Sequence, residues 1–262
     1  MEYLGYFASI IIGLSLGLIG GGGSILAVPI LVYLFNINPE QATSYSLFIV
    51  GITAMIGSYG HYKLGNLKLK PALIFAIPSV LSLLFVRDII LPTIPSVLFT
   101  INAFEVSKNL LIMIIFAILM IITSISMIKK TSQKKNVKQD NFFRIAYIGL
   151  LVGFITGFLG AGGGFLIIPA LLFFANLPIK QAIGTSLLII FINSLIGFGG
   201  DVCNGNPINY KLLFTISTIA IIGMFIGTYL SKKIDGARLK PAFGWFILSM
   251  GIYIIIKESL MK

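Results

Sequence analysis

Two stretches decide the fold: GLSLGLIGGGGSILAVPILVYL at residues 13–34 and GFITGFLGAGGGFLIIPALLFF at residues 153–174. They open a longer match. Residues 13–66 and 153–206, aligned at a constant offset of 140 with no gap, are identical at 20 of 54 positions. The shared pairs include Gly13/Gly153, Gly17/Gly157, Gly20/Gly160, Gly22/Gly162, Gly23/Gly163, Pro29/Pro169, Asn36/Asn176, Gln41/Gln181, Ser46/Ser186 and Gly65/Gly205. An internal repeat constrains architecture before any local reading. Here each copy breaks a hydrophobic stretch with a glycine run, the pattern that marks binding sites in membrane carriers built from two halves.

Composition sets the class. The chain is 57% hydrophobic and 10% charged, with a mean hydropathy of +1.02, too much apolar surface for a water-soluble domain to hide. An all-α integral membrane protein follows, because several stretches reach the roughly 20 apolar residues that a bilayer crossing needs. The net charge of +11 does not signal nucleic acid. Its Lys and Arg residues sit in the short links between apolar runs, as topology determinants do, and no basic stripe interleaves with aromatics. A single cysteine, Cys203, excludes an intrachain disulfide and a cysteine-rich metal site; no metal, cofactor or catalytic residue is expected. The segment beginning Met1-Glu2-Tyr3 lacks the basic region of a cleavable signal, so the first apolar stretch is expected to stay in the protein.

Apolar stretches fall at 5–36, 42–60, 72–91, 109–128, 143–175, 182–200, 212–230 and 241–256. The first and fifth run past 30 residues, about 46 Å as a straight helix, against a hydrocarbon core of about 30 Å. Each is broken near its middle by glycines. Each is therefore either a broken, tilted span or a hairpin of two short helices. Positive charge arbitrates. The link carrying Lys129, Lys130, Lys134, Lys135, Lys138 and Arg144 belongs inside. Leaving Arg87 aside, a single crossing puts twelve positive residues inside and six outside, whereas a hairpin puts fourteen inside and four outside. The hairpin is preferred. It predicts a first half (1–128), a basic cytoplasmic linker (129–141) and a second half (142–262), each half a glycine-broken hairpin plus three spans. An odd number of crossings makes the halves inverted repeats.

Non-helical backbone at membrane depth is tolerated only where it is buried in protein or lines a cavity. A glycine run that leads into a helix start, at Ser24 and at Gly164, offers unpaired N–H groups and the positive end of a helix dipole. The candidate binding residues are Gly21, Gly22, Gly23 and Ser24 with Ser46 in the first copy. In the second copy they are Gly162, Gly163 and Gly164 with Ser186 and Asn193. The ligand is a small anion. Gly13, Gly17, Gly153 and Gly157 read instead as helix-contact glycines at four-residue spacing. For Ser46 and Ser186, donation to an anion and bonding to the preceding helical turn both remain open. Asn193, whose repeat counterpart is Thr53, reads as interhelical glue or a substrate donor. Arg87-Asp88 reads as an ion pair snorkelling at the outer interface, with a functional intramembrane pair as the alternative. His61, opposite Asp201 in the repeat, reads as a solvated link histidine, with proton coupling as the alternative. Glu40 and Lys180 read as interfacial.

At these residues the chain resembles the sulfite exporter TauE/SafE family of bacterial membrane permeases. The resemblance rests on the two glycine stretches, on QATSYSLF (41–48) and QAIGTSLL (181–188), and on Gly65-Asn66 and Gly205-Asn206. It implies a multi-pass protein of the inner (cytoplasmic) membrane that moves a sulfur-containing anion such as sulfite, a sulfonate or thiosulfate. One departure stands out: the second half's third span carries Gly223 and Gly227, where the first half reads PSVLSLLFVRDIILPTIP (78–95). With no GxxxxGK loop, transport would draw on a proton, sodium or substrate gradient. An anion channel using the same helix ends is the alternative. An intramembrane enzyme is disfavoured by one histidine, one cysteine and few acids.

Overall fold

The computed structural model describes residues 2–101, 104–128, 142–160, 162–205, 207–231 and 236–260; the basic linker 129–141 lies outside them. The chain runs as α1 (Glu2–Ile19), a 3-10 run (Gly20–Leu26), α2 (Ala27–Leu34), α3 (Pro39–Lys63) and α4 (Leu69–Leu84). A π turn (Phe85–Ile90) carries α4 into α5 (Leu91–Thr93), followed by β1 (Val97–Ile101), β2 (Phe104–Ser107) and α6 (Lys108–Ile128). The second half comprises α7 (Phe142–Leu159), α8 (Gly164–Phe174), α9 (Ile179–Cys203), α10 (Tyr210–Ser231) and α11 (Gly236–Leu260). Among the described residues, six helical segments are long and apolar enough to cross a membrane. The short antiparallel pair β1–β2, with Thr100 opposite Glu105, is an addition to the all-helical expectation. It falls in the link between α5 and α6, where β-branched and aromatic residues favour strand.

The repeat is visible in the backbone. α3 and α9 start and stop at positions related by the 140-residue offset. Asn38 caps α3 by accepting from the Glu40 N–H at 3.0 Å, with Pro39 at the first helical position, where its fixed φ suits a helix start. Both long helices end on a left-handed glycine, Gly65 (φ +70°) and Gly205 (φ +77°). The Gly65 N–H reaches the Tyr62 carbonyl and the Gly205 N–H the Val202 carbonyl, each at 3.0 Å. The turns before α3 and α9 use left-handed Asn36 (φ 54°) and Asn176 (φ 48°), a conformation asparagine tolerates better than most residues.

Packing interleaves the halves. α1 lies along α10, and α7 lies along α4. Side chains at Gly13 and Gly17 would overlap or crowd the backbone of α10 at Ala220 and Met224, and one at Gly153 would overlap Ser79 of α4. The spaced glycines thus serve close helix contact. In both pairs the contacts advance in the same direction along the two helices. α3 and α9 meet the other way: Gly51 faces Ser194 and Leu195, while Gly184 faces His61. Repeat-equivalent helices therefore cross antiparallel at the centre of the molecule. Contacts also bridge the two sides of each glycine run. Tyr6 meets Phe35 edge-on, with ring centroids 5.3 Å apart, and the Arg144 guanidinium lies 5.6 Å from the Phe174 ring centroid. The arms are unequal: α1 and α7 have 18 residues each, α2 has 8 and α8 has 11. The expected start of the first return helix at Ser24 moves to Ala27, because the glycine run winds as a 3-10 helix before α2 begins.

Candidate functional site

The two glycine tips meet between α3 and α9. A Cβ on Gly21 would overlap the backbone of Gly164, and one on Gly164 would overlap Gly21; only glycine at both positions permits this approach. Further along, Gly160 (φ +61°) abuts Thr43 of α3 and Gly20 (φ +72°) abuts Ile183 of α9. Each tip thus crosses into the territory of the other copy. Gly21, Gly23 and Ser24 in one tip and Gly162, Gly163 and Gly164 in the other are buried; Gly22 lies within the 3-10 run. The tips are closed on one another.

The polar side chains near the tips are differently employed. Ser46 donates its hydroxyl to the Gly160 carbonyl, tying α3 to the opposite tip. Ser24 donates to the Gly21 carbonyl at 2.8 Å, and Ser186 donates to the Ile183 carbonyl of its own preceding turn at 2.8 Å. Asn193 donates from Nδ2 to the Ser79 hydroxyl on α4 at 2.7 Å, as interhelical glue does, and its Oδ1 is buried without a partner. Thr53, its counterpart, donates to the Ile49 carbonyl at 2.6 Å. Ser194, which the sequence reading did not single out, is fully buried, and its hydroxyl has no hydrogen-bond partner.

Two expectations are corrected. Arg87 is not paired with Asp88 and does not reach out to solvent. It is 6% exposed and forms an ion pair with Asp201 of α9, its Nε donating to Oδ1 at 2.8 Å and its Nη2 to Oδ2. Nη1 donates to the Gly157 carbonyl of α7 at 3.1 Å. Successive helical residues point roughly 100° apart, and the π turn aims Arg87 into the bundle while Asp88 accepts from Asn204 at 2.8 Å. π turns recur at functional sites for this reason. His61 is likewise buried at 6% exposure, because its side chain lies against Gly184 of α9 rather than in the link. Glu40 does lie at a helix end, where it accepts from Lys108 Nζ at 2.6 Å; its carboxylate is half exposed.

Hydroxyls also pin each half's links to the other half. The Asn209 N–H donates to the Tyr45 hydroxyl at 2.8 Å, and the Lys68 N–H donates to the Thr185 hydroxyl at 3.1 Å. Among the described residues, no group of three or more His, Cys, Asp or Glu side chains could hold a metal ion.

A duplicated bundle of apolar helices, closed around two glycine tips and bridged by one buried ion pair, has the build of a multi-pass membrane permease. The chain belongs to the sulfite exporter TauE/SafE family, whose profile matches residues 6–254. Its relatives include a protein of Xylella fastidiosa (strain Temecula1) named "Probable membrane transporter protein", 28% identical over 253 residues, covering 94% of this chain and 91% of the relative. A Methanocaldococcus jannaschii protein, also named a probable membrane transporter, is 25% identical over 265 residues, covering 94% of each. No solved structure matches the chain significantly.

Proposed function

We propose that the protein is a secondary transporter that carries a small sulfur-containing anion, such as sulfite, a sulfonate or thiosulfate, across the cytoplasmic membrane. The anion is held where the two glycine tips meet, with Gly21, Gly22, Gly23, Gly162, Gly163 and Gly164 supplying close backbone approach. Ser24 and Ser46 hold that backbone through the Gly21 and Gly160 carbonyls, while Ser186 bonds within α9 and Asn193 joins α9 to α4 beside it. The single observation that carries this reading is the contact of Gly21 with Gly164 between α3 and α9. It brings two breaks in membrane-depth backbone to one buried place, as a carrier site requires.

In the bilayer the halves are inverted repeats, and each glycine-broken hairpin re-enters from one side. The antiparallel crossing of α3 and α9 supports this. A single crossing of the broken stretch would give each half four spans and would leave equivalent helices parallel. Closed tips favour alternating access over a continuous pore, and a proton or sodium gradient supplies the energy.

The test is counterflow in proteoliposomes. Vesicles preloaded with unlabelled sulfite should transiently accumulate labelled sulfite above equilibrium, whereas channel-scale flux without accumulation removes the carrier reading. In a thermal-shift assay, methanesulfonate should stabilise the purified protein more than acetate does. The reverse ranking counts against a sulfur oxyanion.

A further inference from the structure

We propose that the two tips do not share the anion equally: it is bound by the second tip, through the N–H groups at the start of α8 and the hydroxyl of Ser194, while the first tip forms the opposing wall. This inference rests on the anion site proposed above and assigns its donors.

The two tips differ in what they have left to offer. The first winds Gly20–Leu26 into a 3-10 helix, whose i to i+3 bonds engage amides along the run. The next N–H, of Ala27, is bonded to the Ser24 carbonyl. The second tip instead turns sharply through left-handed Gly162 (φ +63°) and Gly163 (φ +69°) and opens directly into α8. No side chain caps α8. The N–H groups of Leu166 and Ile167 both converge on the Gly163 carbonyl. An α-helix leaves its first N–H groups without intrahelical partners, and its dipole places partial positive charge there.

Ser194 is the independent observation. Its side chain is fully buried, its hydroxyl has no partner, and the hydroxyl oxygen lies 2.5 Å from the point that a Cβ on Gly162 would occupy. An unsatisfied buried hydroxyl is costly unless something else completes its bonding. Gly162 leaves open the space into which it points. One helical turn further along α9, Ile190 also faces Gly162 and Gly164, so this side of α9 lines the second tip. The first copy has no hydroxyl at the matching position. The repeat counterpart of Ser194 is Ala54, and the neighbouring Thr53 spends its hydroxyl on Ile49. The amides at the start of α8 and the Ser194 hydroxyl form a donor set. That suits the oxygens of a sulfite or sulfonate head group rather than a cation.

The experiment measures binding of sulfite, thiosulfate and methanesulfonate to the purified full-length chain and to Ser194→Ala and Thr53→Val. The expected result is a tenfold or greater rise in Kd for Ser194→Ala, with the unliganded melting temperature not lowered, and less than a twofold change for Thr53→Val. A hydroxyl that served structure alone would lower the melting temperature and leave Kd unchanged. If Ser194→Ala is not recovered folded, Ser194→Cys, which keeps the shape and weakens the donor, should show the same rise in Kd. Wild-type binding that either Ser194 variant leaves intact, or that Thr53→Val weakens equally, overturns this inference alone. A wild-type chain that binds none of the three anions overturns the proposed function and this inference together.

Discussion

Along α1 and α10 glycines line both helices, Gly13 and Gly17 on one and Gly223 and Gly227 on the other. Along α7 and α4 the glycines are on α7 only, and Gly149, Gly153 and Gly157 face Phe75, Ser79, Leu83 and Val86. The two contacts occupy corresponding places in the repeat, yet α4 then tightens into a π turn and delivers Arg87 to Asp201. At the 140-residue offset α10 instead carries Gly227, against Leu14 of α1. Close backbone approach has survived in both copies because packed helices leave no room for an added side chain. Polar groups have diverged, because each needs only its own partner.

Breaking the shared part of that comparison should have the largest effect. Gly153→Leu drives a side chain into the backbone of α4 at Ser79. Overpacking a core costs about 1–3 kcal/mol and occasionally more; backbone on backbone is the severe end of that range. Little monodisperse protein should elute from a sizing column, and Gly13→Leu should behave alike. A normal elution profile for either would remove the close-contact account of these glycines.

Breaking the divergent part should leave a recoverable, destabilised protein, and only in one copy. Arg87→Ala strands the buried Asp201 carboxylate, and removing one partner of a buried pair costs about 3–5 kcal/mol, read as a lower unfolding temperature. The double variant Arg87→Leu with Asp201→Leu should recover most of that loss, since apolar replacement of both partners is often near neutral. Thr228→Val, on the corresponding helix α10 and next to Gly227, should cost under about 1 kcal/mol. Equal losses for Arg87→Ala and Thr228→Val would erase the difference between the copies.

Much of this architecture could be read from the chain. The long helices α3 and α9 were legible because Asn36/Asn176 before them and Gly65/Gly205 after them stand in repeat register, with Pro39 and Pro178 one place out of step, and those residues act locally. Gly13, Gly17, Gly153 and Gly157 were legible from their spacing. Tertiary partnerships were not. Arg87 finds Asp201 through the register between α4 and α9, and His61 is buried through its contact with Gly184; no local pattern encodes either. The tips share Gly20/Gly160, Gly22/Gly162 and Gly23/Gly163 but wind differently, one as a 3-10 run and one through left-handed glycines, a difference that the shared glycines do not encode. Ser194 escaped notice because serines in membrane helices usually bond to the preceding turn. The available signal was its pairing with Ala54 in the repeat, where one copy keeps a hydroxyl and the other does not.

The central claim, that the copies face opposite sides of the membrane, is tested most directly by thiol labelling at one repeat-equivalent pair. Cys203, an exposed free cysteine, closes α9, and the exposed Lys63 closes α3 at the matching position. In intact cells a membrane-impermeant maleimide should modify Cys203. In a Cys203→Ser chain bearing Lys63→Cys, it should react only after permeabilisation. Modification of both positions from the same side would contradict the account.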